Sequence, residues 1–358
     1  QNGVSMLSGN GVSCDTTYIL RLTINQCNDP LPDNIDTPFC TVPPESVTFE
    51  MLELYSSATG VNSMTTPMVG DVDGDGTPEI VVCAFESDPG WGNRLLVLDG
   101  SNGTQKYELS VATYTTAGQL MSLADVNHDG RAELFLLADD RYLYAYDATG
   151  RGQLWRSSEQ IDDRYVPMLA DINADGNAEV VCGPYIFNAT TGALLLSGTQ
   201  QAAGRGYGAP HTDQGYGRAY YLQALADIDR DGQLEICAGN TVYKPTIVNT
   251  NSTTGNTWTI LRQASTPDAI EGLDGQTFVA DFDRDGDIDI CVLGFKSSNH
   301  TDLYVWDGQT TNVIAYQNIT MSGAYGGSMT PSIPFCGDLD GDDFVEILFN
   351  HPDGMRAY

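Results

Sequence analysis

Six short segments of the chain repeat oxygen-bearing side chains at one spacing, D-x-[DN]-x-D-G-x-x-[DE] or a close variant. Side chains at positions 1, 3 and 5 of such a segment converge on one point when position 6 allows a sharp turn. Position 7 can add its carbonyl and position 9 a closing carboxylate. This number of hard oxygen ligands suits Ca²⁺ better than Mg²⁺, which prefers water ligands and stricter octahedral geometry.

We number the segments loop 1 to loop 6 in chain order, and the sequence predicts that they bind up to six Ca²⁺ ions. The predicted ligands are Asp71, Asp73, Asp75 and Glu79; Asp125, Asn127, Asp129 and Glu133; Asp171, Asn173, Asp175 and Glu179; Asp227, Asp229, Asp231 and Glu235; Asp281, Asp283, Asp285 and Asp289; and Asp338, Asp340, Asp342 and Glu346. Acids fill 22 of these 24 positions. Carboxylates held this close repel one another unless a cation lies between them. The alternative is a set of acidic hairpin turns that bind no metal.

The loops differ from an EF-hand and, in detail, from one another. An EF-hand has a bidentate Glu at position 12, where loop 1 has Val82, and the flanks here are β-rich instead of helical. Loops 2 and 3 have Asn127 and Asn173 at position 3, which lowers their charge. Loop 6 has Asp343 at position 6, where the others have Gly, so its geometry is expected to depart from theirs.

Strand-like runs recur in phase with the loops. The first Asp residues of successive loops are 54, 46, 56, 54 and 57 residues apart. After most loops comes an apolar run ending in a turn of Asp, Asn and Gly, as in LLVLDGSNG, LYAYDATG, YIFNATTG and LYVWDGQT, which is a hairpin signal. A further short strand follows. The sequence of each repeat unit therefore predicts four antiparallel strands, and the length of the repeat is typical of one propeller blade.

The predicted fold is an all-β propeller of four-stranded antiparallel blades that spans residues 46–358. The run SVTFEMLELYSS at 46–57 resembles the outer strand of a blade, and the sixth unit stops at MRAY, in its third strand. We therefore expect the N-terminal strand to complete the last blade and close a ring of six. A seventh blade is the alternative if the natural chain continues past Tyr358. Residues 1–45 are expected to form an extension or a small cysteine-containing cap.

Composition excludes several classes of partner. The 358 residues include 16 Lys and Arg against 48 Asp and Glu, a formal charge of −32. Binding to nucleic acid or anionic lipid needs clustered cations, so neither is expected. No apolar run approaches the roughly 18 residues of a membrane-spanning helix. Scarce lysine and eight cysteines without a CxxC pair favour an oxidising, extracellular compartment over the cytosol.

The segments GDVDGDGTPEIVV and ADFDRDGDIDICVLG resemble the FG-GAP/VCBS repeats of integrin-like calcium-binding propellers. The stretch IFNATTGALLLSG is more similar to the secreted propellers of large surface proteins from Bacteroidetes-type bacteria. The resemblance implies structural calcium, with all sites on one face of the disc. It also implies an adhesion, ligand-binding or scaffold module of a secreted or cell-surface protein, which further domains of a longer chain could accompany. Ligands are then expected on the opposite face.

A glycan or protein partner is expected at that opposite face. The longest insertion between blades, residues 204–221, is rich in Gly, Tyr and Arg. Aromatic side chains in such loops can stack on sugar rings or anchor a protein partner. The alternative is that they pack the loop onto neighbouring blades. The candidate contact residues are Trp91, Arg205, Tyr207, His211, Tyr216 and Arg218.

The sequence does not predict an enzyme, and no catalytic or organic-cofactor residue is assigned. GxSxG, P-loop and dinucleotide-binding patterns are absent from the sequence, which removes the commonest motif-based assignments. A polysaccharide lyase, or another carbohydrate-active enzyme, is the alternative, because some calcium propellers use Tyr, His and Arg for proton abstraction. His211, Tyr216 and Arg218 form the one such cluster, but a charge of −32 makes a poor host for an acidic polysaccharide.

Overall fold

The structure, a computed structural model, describes most of the repeat region. The described residues are 23–24, 47–48, 56, 66–84, 91–116, 121–138, 140–149, 152–161, 165–198, 222–297, 300–320, 335–339, 341–351 and 354–358. Within these ranges every regular element is a β-strand, which confirms the predicted all-β class. None of these residues belongs to a helix that could span a membrane.

The strands form a series of separate antiparallel sheets, which we call blades 1 to 6. Strands β1 (Thr23–Ile24) and β2 (Val47–Thr48) precede them and pair with each other. The blade strands are β3 (Met68–Gly70), β4 (Glu79–Cys83), β5 (Trp91–Asp99) and β6 (Gln105–Thr116); β7 (Met121–Ala124), β8 (Glu133–Leu137), β9 (Leu143–Asp147) and β10 (Gly152–Arg156); β11 (Met168–Ala170), β12 (Glu179–Cys182), β13 (Tyr185–Asn188) and β14 (Leu194–Ser197); β15 (Ala224–Ala226), β16 (Glu235–Ala238), β17 (Thr241–Thr246) and β18 (Thr257–Gln263); β19 (Gly275–Ala280), β20 (Asp289–Ser297), β21 (His300–Asp307) and β22 (Val313–Thr320); and β23 (Phe335–Gly337), β24 (Glu346–His351) and β25 (Gly354–Ala357).

Each blade is a meander in which consecutive strands pair, as the repeat predicted. Blades 1 to 5 have four strands, and blade 6 has three among the described residues. Each acidic loop joins the first strand of its blade to the second, and its position 9 is the first residue of that second strand. A regular strand thus fixes each end of every loop.

Apolar side chains hold successive blades together face to face. The second strands are rich in Val, Ile and Leu, and all five residues of β8 are buried. One cluster joins Leu95 of blade 1 to Leu134 of blade 2, and four equivalent clusters continue the series, the last joining Leu303 of blade 5 to Phe349 of blade 6. Burying β-branched and aliphatic residues on both faces of a sheet is what this stacked arrangement requires. The described blades therefore form the packed series of a β-propeller.

Closure of the ring stays a prediction. Val47–Thr48 is the described part of the strand expected to complete blade 6, and it pairs with Thr23–Ile24. Residues 49–55 lie outside the described residues, as does most of the predicted 1–45 segment. The third strand of blade 6, β25, falls where the sequence placed it.

Candidate metal centres

All six loops share one backbone conformation, with left-handed residues at positions 4 and 6. Position 6 has φ between 85° and 90° at the five glycines and 69° at Asp343. The expected departure of loop 6 is therefore not seen in its backbone: Asp343 adopts the turn, as short polar side chains do more readily than others. Position 4 is left-handed too, and in four loops it is not Gly: His128, Ala174, Arg230 and Arg284.

Ala174 gives a direct test of this strain. Its φ of 57° costs an L-residue with no polar side chain roughly 1–2 kcal/mol. We expect Ala174→Gly to raise the free energy of unfolding by about 0.5–1 kcal/mol, after the greater entropy of Gly in the unfolded chain is counted. Urea denaturation measures the change. The control is Gly176→Ala, because a Cβ there would meet no atom within 4 Å and only the φ of 89° opposes it. Gly176→Ala should lower the free energy of unfolding, and a change of the same sign in both variants would contradict the shared loop geometry.

The acidic side chains at positions 1 and 5 shape the loop through its own backbone. In every loop one oxygen of the position 1 Asp accepts a hydrogen bond from the position 6 amide, at 2.8–3.1 Å. The position 5 Asp accepts from the position 7 amide at 2.8–3.0 Å. These bonds fold each loop back on itself and gather its carboxylates at one end of the blade.

The position 9 acid is the buried member of the set in loops 1 to 5, and in loop 6 Glu346 is half-buried. One of its oxygens accepts a hydrogen bond from the position 2 amide at 2.6–3.0 Å in all six loops. Glu79, Glu179, Glu235 and Asp289 are fully buried, and Glu133 nearly so. The environment of the other (second) oxygen of the position 9 acid differs between loops, and this difference divides the loops into classes.

In loops 3 and 5 the second oxygen has no hydrogen-bond partner in the described structure. These atoms are Glu179 Oε1 and Asp289 Oδ1; at other loop positions Asp281 Oδ1 of loop 5 and Asp229 Oδ1 of loop 4 also lack a partner. A buried carboxylate oxygen without a partner costs about 1–3 kcal/mol or more. Such oxygens, gathered with the other acids of the loop, form a donor set that fits a hard divalent cation.

The pKa values of these acids show the same crowding. Burial raises the pKa of Glu179 to about 7, and the charges of Asp175 and Asp171 add to the effect. Burial likewise raises the pKa of Asp289 to about 6, with a contribution from Asp283. In loop 2 burial raises the pKa of Glu133, whose second oxygen accepts a hydrogen bond from Asn127 Nδ2 at 2.8 Å.

In loops 1 and 4 a lysine ammonium meets the second oxygen. Lys106 Nζ lies 2.9 Å from Glu79 Oε1, and Lys244 Nζ lies 2.9 Å from Glu235 Oε1. The hydrogen bond to Asp73 and then that to Glu79 raise the pKa of Lys106. For Lys244 burial acts against the charge, but hydrogen bonds to the loop acids outweigh it and raise its pKa.

Among the described residues, three groups of acids are each compact enough to hold one metal ion. Their ligand atoms lie within 4.8 Å of one another in Asp71, Asp73 and Glu79; in Asp227, Asp229 and Glu235; and in Asp281, Asp283 and Asp285. Two of the three groups are those that hold a lysine, in loops 1 and 4.

The loops touch one another in chain order and so lie along one face of the blades. Between loops 1 and 2 the Ala132 amide donates to Asp71 O at 2.9 Å, and between loops 3 and 4 the Leu234 amide donates to Ile172 O at 3.0 Å. Position 4 side chains make the other contacts. His128 Nε2 lies 3.3 Å from Gly176 O of loop 3, Arg230 pairs with Asp287 of loop 5, and Arg284 Nη2 lies 3.6 Å from Asp343 Oδ2 of loop 6. Three of the four non-glycine residues at position 4 therefore link neighbouring blades.

The described structure contains 23 of the 24 predicted ligand positions, and Asp340 lies outside it. Of the contact residues predicted for the opposite face, only the backbone of Trp91 is described, in β5; Arg205, Tyr207, His211, Tyr216 and Arg218 lie outside the described residues. Sequence reasoning missed Lys106 and Lys244. The sequence gives no local signal for them, because Lys106 lies 27 residues after Glu79 and Lys244 lies 9 residues after Glu235.

The comparisons with known proteins agree with this repeat architecture. The family model "FG-GAP-like repeat" matches residues 71–136 and 281–349, which contain loops 1, 2, 5 and 6. The V. cholerae biofilm matrix protein Bap1 is similar in structure, with a TM-score of 0.53 and 22% identity over 74% of this chain and 42% of Bap1. BamB from Moraxella catarrhalis aligns with a TM-score of 0.39 and 10% identity over 87% of this chain and 85% of BamB.

The likeness to Bap1 concerns the fold alone, and the chain spans less than half of the length of Bap1. No curated protein matches the chain in sequence. The two matched segments include the acidic loops and second strands of blades 1, 2, 5 and 6, and blades 3 and 4 repeat the same elements. The described blades are thus those of a β-propeller, and two segments of the chain match the FG-GAP-like repeat.

Proposed function

We propose that the chain is an extracellular, calcium-stabilised β-propeller that serves as an adhesion or scaffold module of a secreted or cell-surface protein. The observation that carries the proposal is the row of like loops along one face, with unpartnered buried carboxylate oxygens in loops 3 and 5. Calcium modules of extracellular proteins work at dissociation constants of about 10⁻⁴–10⁻³ M, which suits solvent-exposed loops of this kind.

In this proposal the acidic residues of each loop have a structural role as calcium ligands. Positions 1, 3, 5 and 9 of a loop would hold the ion, and the ion would supply the positive charge that neutralises them. The ion would then fix the link between the first and second strands of a blade, and through the loop-to-loop contacts it would stiffen one face of the disc. A rigid face of this kind leaves loops elsewhere free to vary and bind ligands.

An adhesion role is supported by the role of one structural neighbour. Bap1 is a biofilm matrix protein, and we propose a comparable matrix or surface role for this chain. The partner is a glycan or a protein, bound on the face opposite the acidic loops. The lyase alternative rests on His211, Tyr216 and Arg218, which lie outside the described residues. An absorbance assay for unsaturated uronate products distinguishes the two.

The opposite face is tested by a pair of variants on a glycan array. We expect the double variant Tyr216→Ala, Arg218→Ala to lose most binding of the labelled protein while its melting temperature stays within a few degrees, because surface-loop substitutions cost little stability. Asp281→Ala, on the acidic face, is expected to lower the melting temperature and to bind normally while folded. Normal binding by the loop variant, with binding lost in folded Asp281→Ala, would show that the two faces are assigned the wrong way round.

A further inference from the structure

Two lysines occupy the centres of two acidic loops with matching geometry. The Nζ atom of Lys106 lies 2.7, 3.2 and 2.9 Å from oxygens of Asp73, Asp75 and Glu79. The Nζ atom of Lys244 lies 2.6, 2.7 and 2.9 Å from the corresponding oxygens in loop 4. In both loops the ammonium meets positions 3, 5 and 9, and an ammonium has three N–H donors for three such acceptors.

The two lysines reach this place from different strands. Lys106 lies on β6, the fourth strand of blade 1, where it is the extra residue at the irregularity between the Val97–Tyr107 and Leu98–Gln105 pairs. Lys244 lies on β17, the third strand of blade 4, one residue after Tyr243, which pairs with Ile236. The same register position in blades 1, 2, 3 and 5 is held by Asp99, Asp147, Asn188 and Asp307. Lysines on two strands that do not correspond between the blades therefore bring a positive charge to the same place in their acidic loops.

The ammonium uses the oxygens that a metal ion would need. Oxygens from positions 3, 5 and 9 are three of the four side-chain ligands of each loop, and Glu79 and Glu235, which close the sets, are fully buried. A divalent cation at that point would lie beside a positive charge held by the same three carboxylates. Loops 3 and 5 differ, because their position 9 acids have an oxygen without a hydrogen-bond partner in the described structure.

We propose that Lys106 and Lys244 are built-in cations that take the place of Ca²⁺ in loops 1 and 4, so that only the remaining loops bind the ion. This inference rests on the proposed calcium function for its second half. Blades 1 and 4 would keep their acidic loops closed whatever the calcium concentration, whereas the other blades would depend on the ion.

The first test counts bound ions by equilibrium dialysis against radioactive Ca²⁺. We expect Lys106→Met and Lys244→Met each to bind one more ion than the wild type, and the double variant two more. Methionine keeps most of the length of the side chain and removes its charge. Lys296→Met is the control, because Lys296 belongs to β20 and to none of the acidic loops, and its ion count should equal that of the wild type. If the wild type binds Ca²⁺ and the double variant binds the same number of ions, the inference would be overturned.

A reverse variant places a lysine in a loop that lacks one. Ile314 is the extra residue of β22 at the irregularity matching that of Lys106, and it is 39% exposed. We expect Ile314→Lys to bind one ion fewer than the wild type, because its ammonium would reach the acids of loop 5. An unchanged count would contradict the exclusion of calcium by an ammonium at this position.

The second test is the melting temperature in a calcium chelator. Without a built-in cation the acids of loop 1 or loop 4 repel, so we expect Lys106→Met and Lys244→Met each to melt several degrees lower than Lys296→Met, with Ca²⁺ restoring the loss. Equal melting temperatures in chelator would overturn the built-in cation. If no variant binds calcium but both loop variants still melt lower, the built-in cation stands and the calcium part of the proposed function fails.

Discussion

Removal of calcium by a chelator is expected to lower the melting temperature of this protein by more than about 10 °C. Ligand that binds only the folded state stabilises it by about 2.7 kcal/mol per site at 100-fold saturation, and several loops contribute. A change of 1 kcal/mol shifts the melting temperature of a chain this large by about 2–4 °C or less. Differential scanning calorimetry with EGTA, and then with excess Ca²⁺, measures the effect.

The control in that experiment is Mg²⁺ in place of Ca²⁺. Mg²⁺ demands stricter octahedral geometry and gives up its water reluctantly, so it should restore only part of the lost stability. A melting temperature that does not change in chelator would contradict the calcium assignment and leave the propeller fold intact. Full recovery with Mg²⁺ would show that the loops do not select for the larger ion.

We expect the effect of Glu179→Gln on the free energy of unfolding to change sign when calcium is added. Glu179 is fully buried and its Oε1 has no hydrogen-bond partner in the described structure, while Oε2 accepts from the Ile172 amide at 3.0 Å. Gln keeps an acceptor for that amide and removes the charge. In chelator we expect the variant to be more stable than the wild type by about 1–3 kcal/mol. In saturating Ca²⁺ it should be less stable, because loop 3 has lost its closing carboxylate.

Glu79→Gln is the matched control for this reversal. Glu79 is equally buried and makes the same backbone hydrogen bond, but its Oε1 accepts from Lys106. Removing its charge weakens a charge-assisted hydrogen bond worth about 1.5–3 kcal/mol, so this variant should be less stable in chelator. Urea denaturation of both variants, with and without Ca²⁺, gives the comparison. Equal effects of the two substitutions in chelator would remove the distinction between the loop classes.

The sequence predicts the repeated features well because they are local. The acidic loops, the two strands that flank each of them and the hairpin turns of most blades follow from spacings of a few residues, and the structure places these elements as expected. The glycines predict the turn at position 6, and Asp343 shows that the same left-handed turn forms without glycine. The sequence does not predict the left-handed conformation at position 4, because His128, Ala174 and Arg230 have no side-chain chemistry in common and share only a positive φ.

The non-local features could not be read from spacing. Lys106 lies 31 residues from Asp75, on another strand, and reaches the loop only because the strands of blade 1 pair as they do. Lys244 reaches an equivalent point from a different strand. The contacts between loops, such as that of Arg284 with Asp343, likewise depend on how neighbouring blades pack. These interactions arise from tertiary structure, and they divide six similar motifs into loops with different partners.

The most direct test of the account is a crystal structure grown in Ca²⁺, with the ions located by anomalous scattering. We predict an ion in each of loops 2, 3, 5 and 6, coordinated by the oxygens at positions 1, 3, 5 and 9, and the ammonium groups of Lys106 and Lys244 at the corresponding points of loops 1 and 4. Acidic loops that hold no ion at saturating Ca²⁺ would contradict the central claim that this propeller is built around calcium.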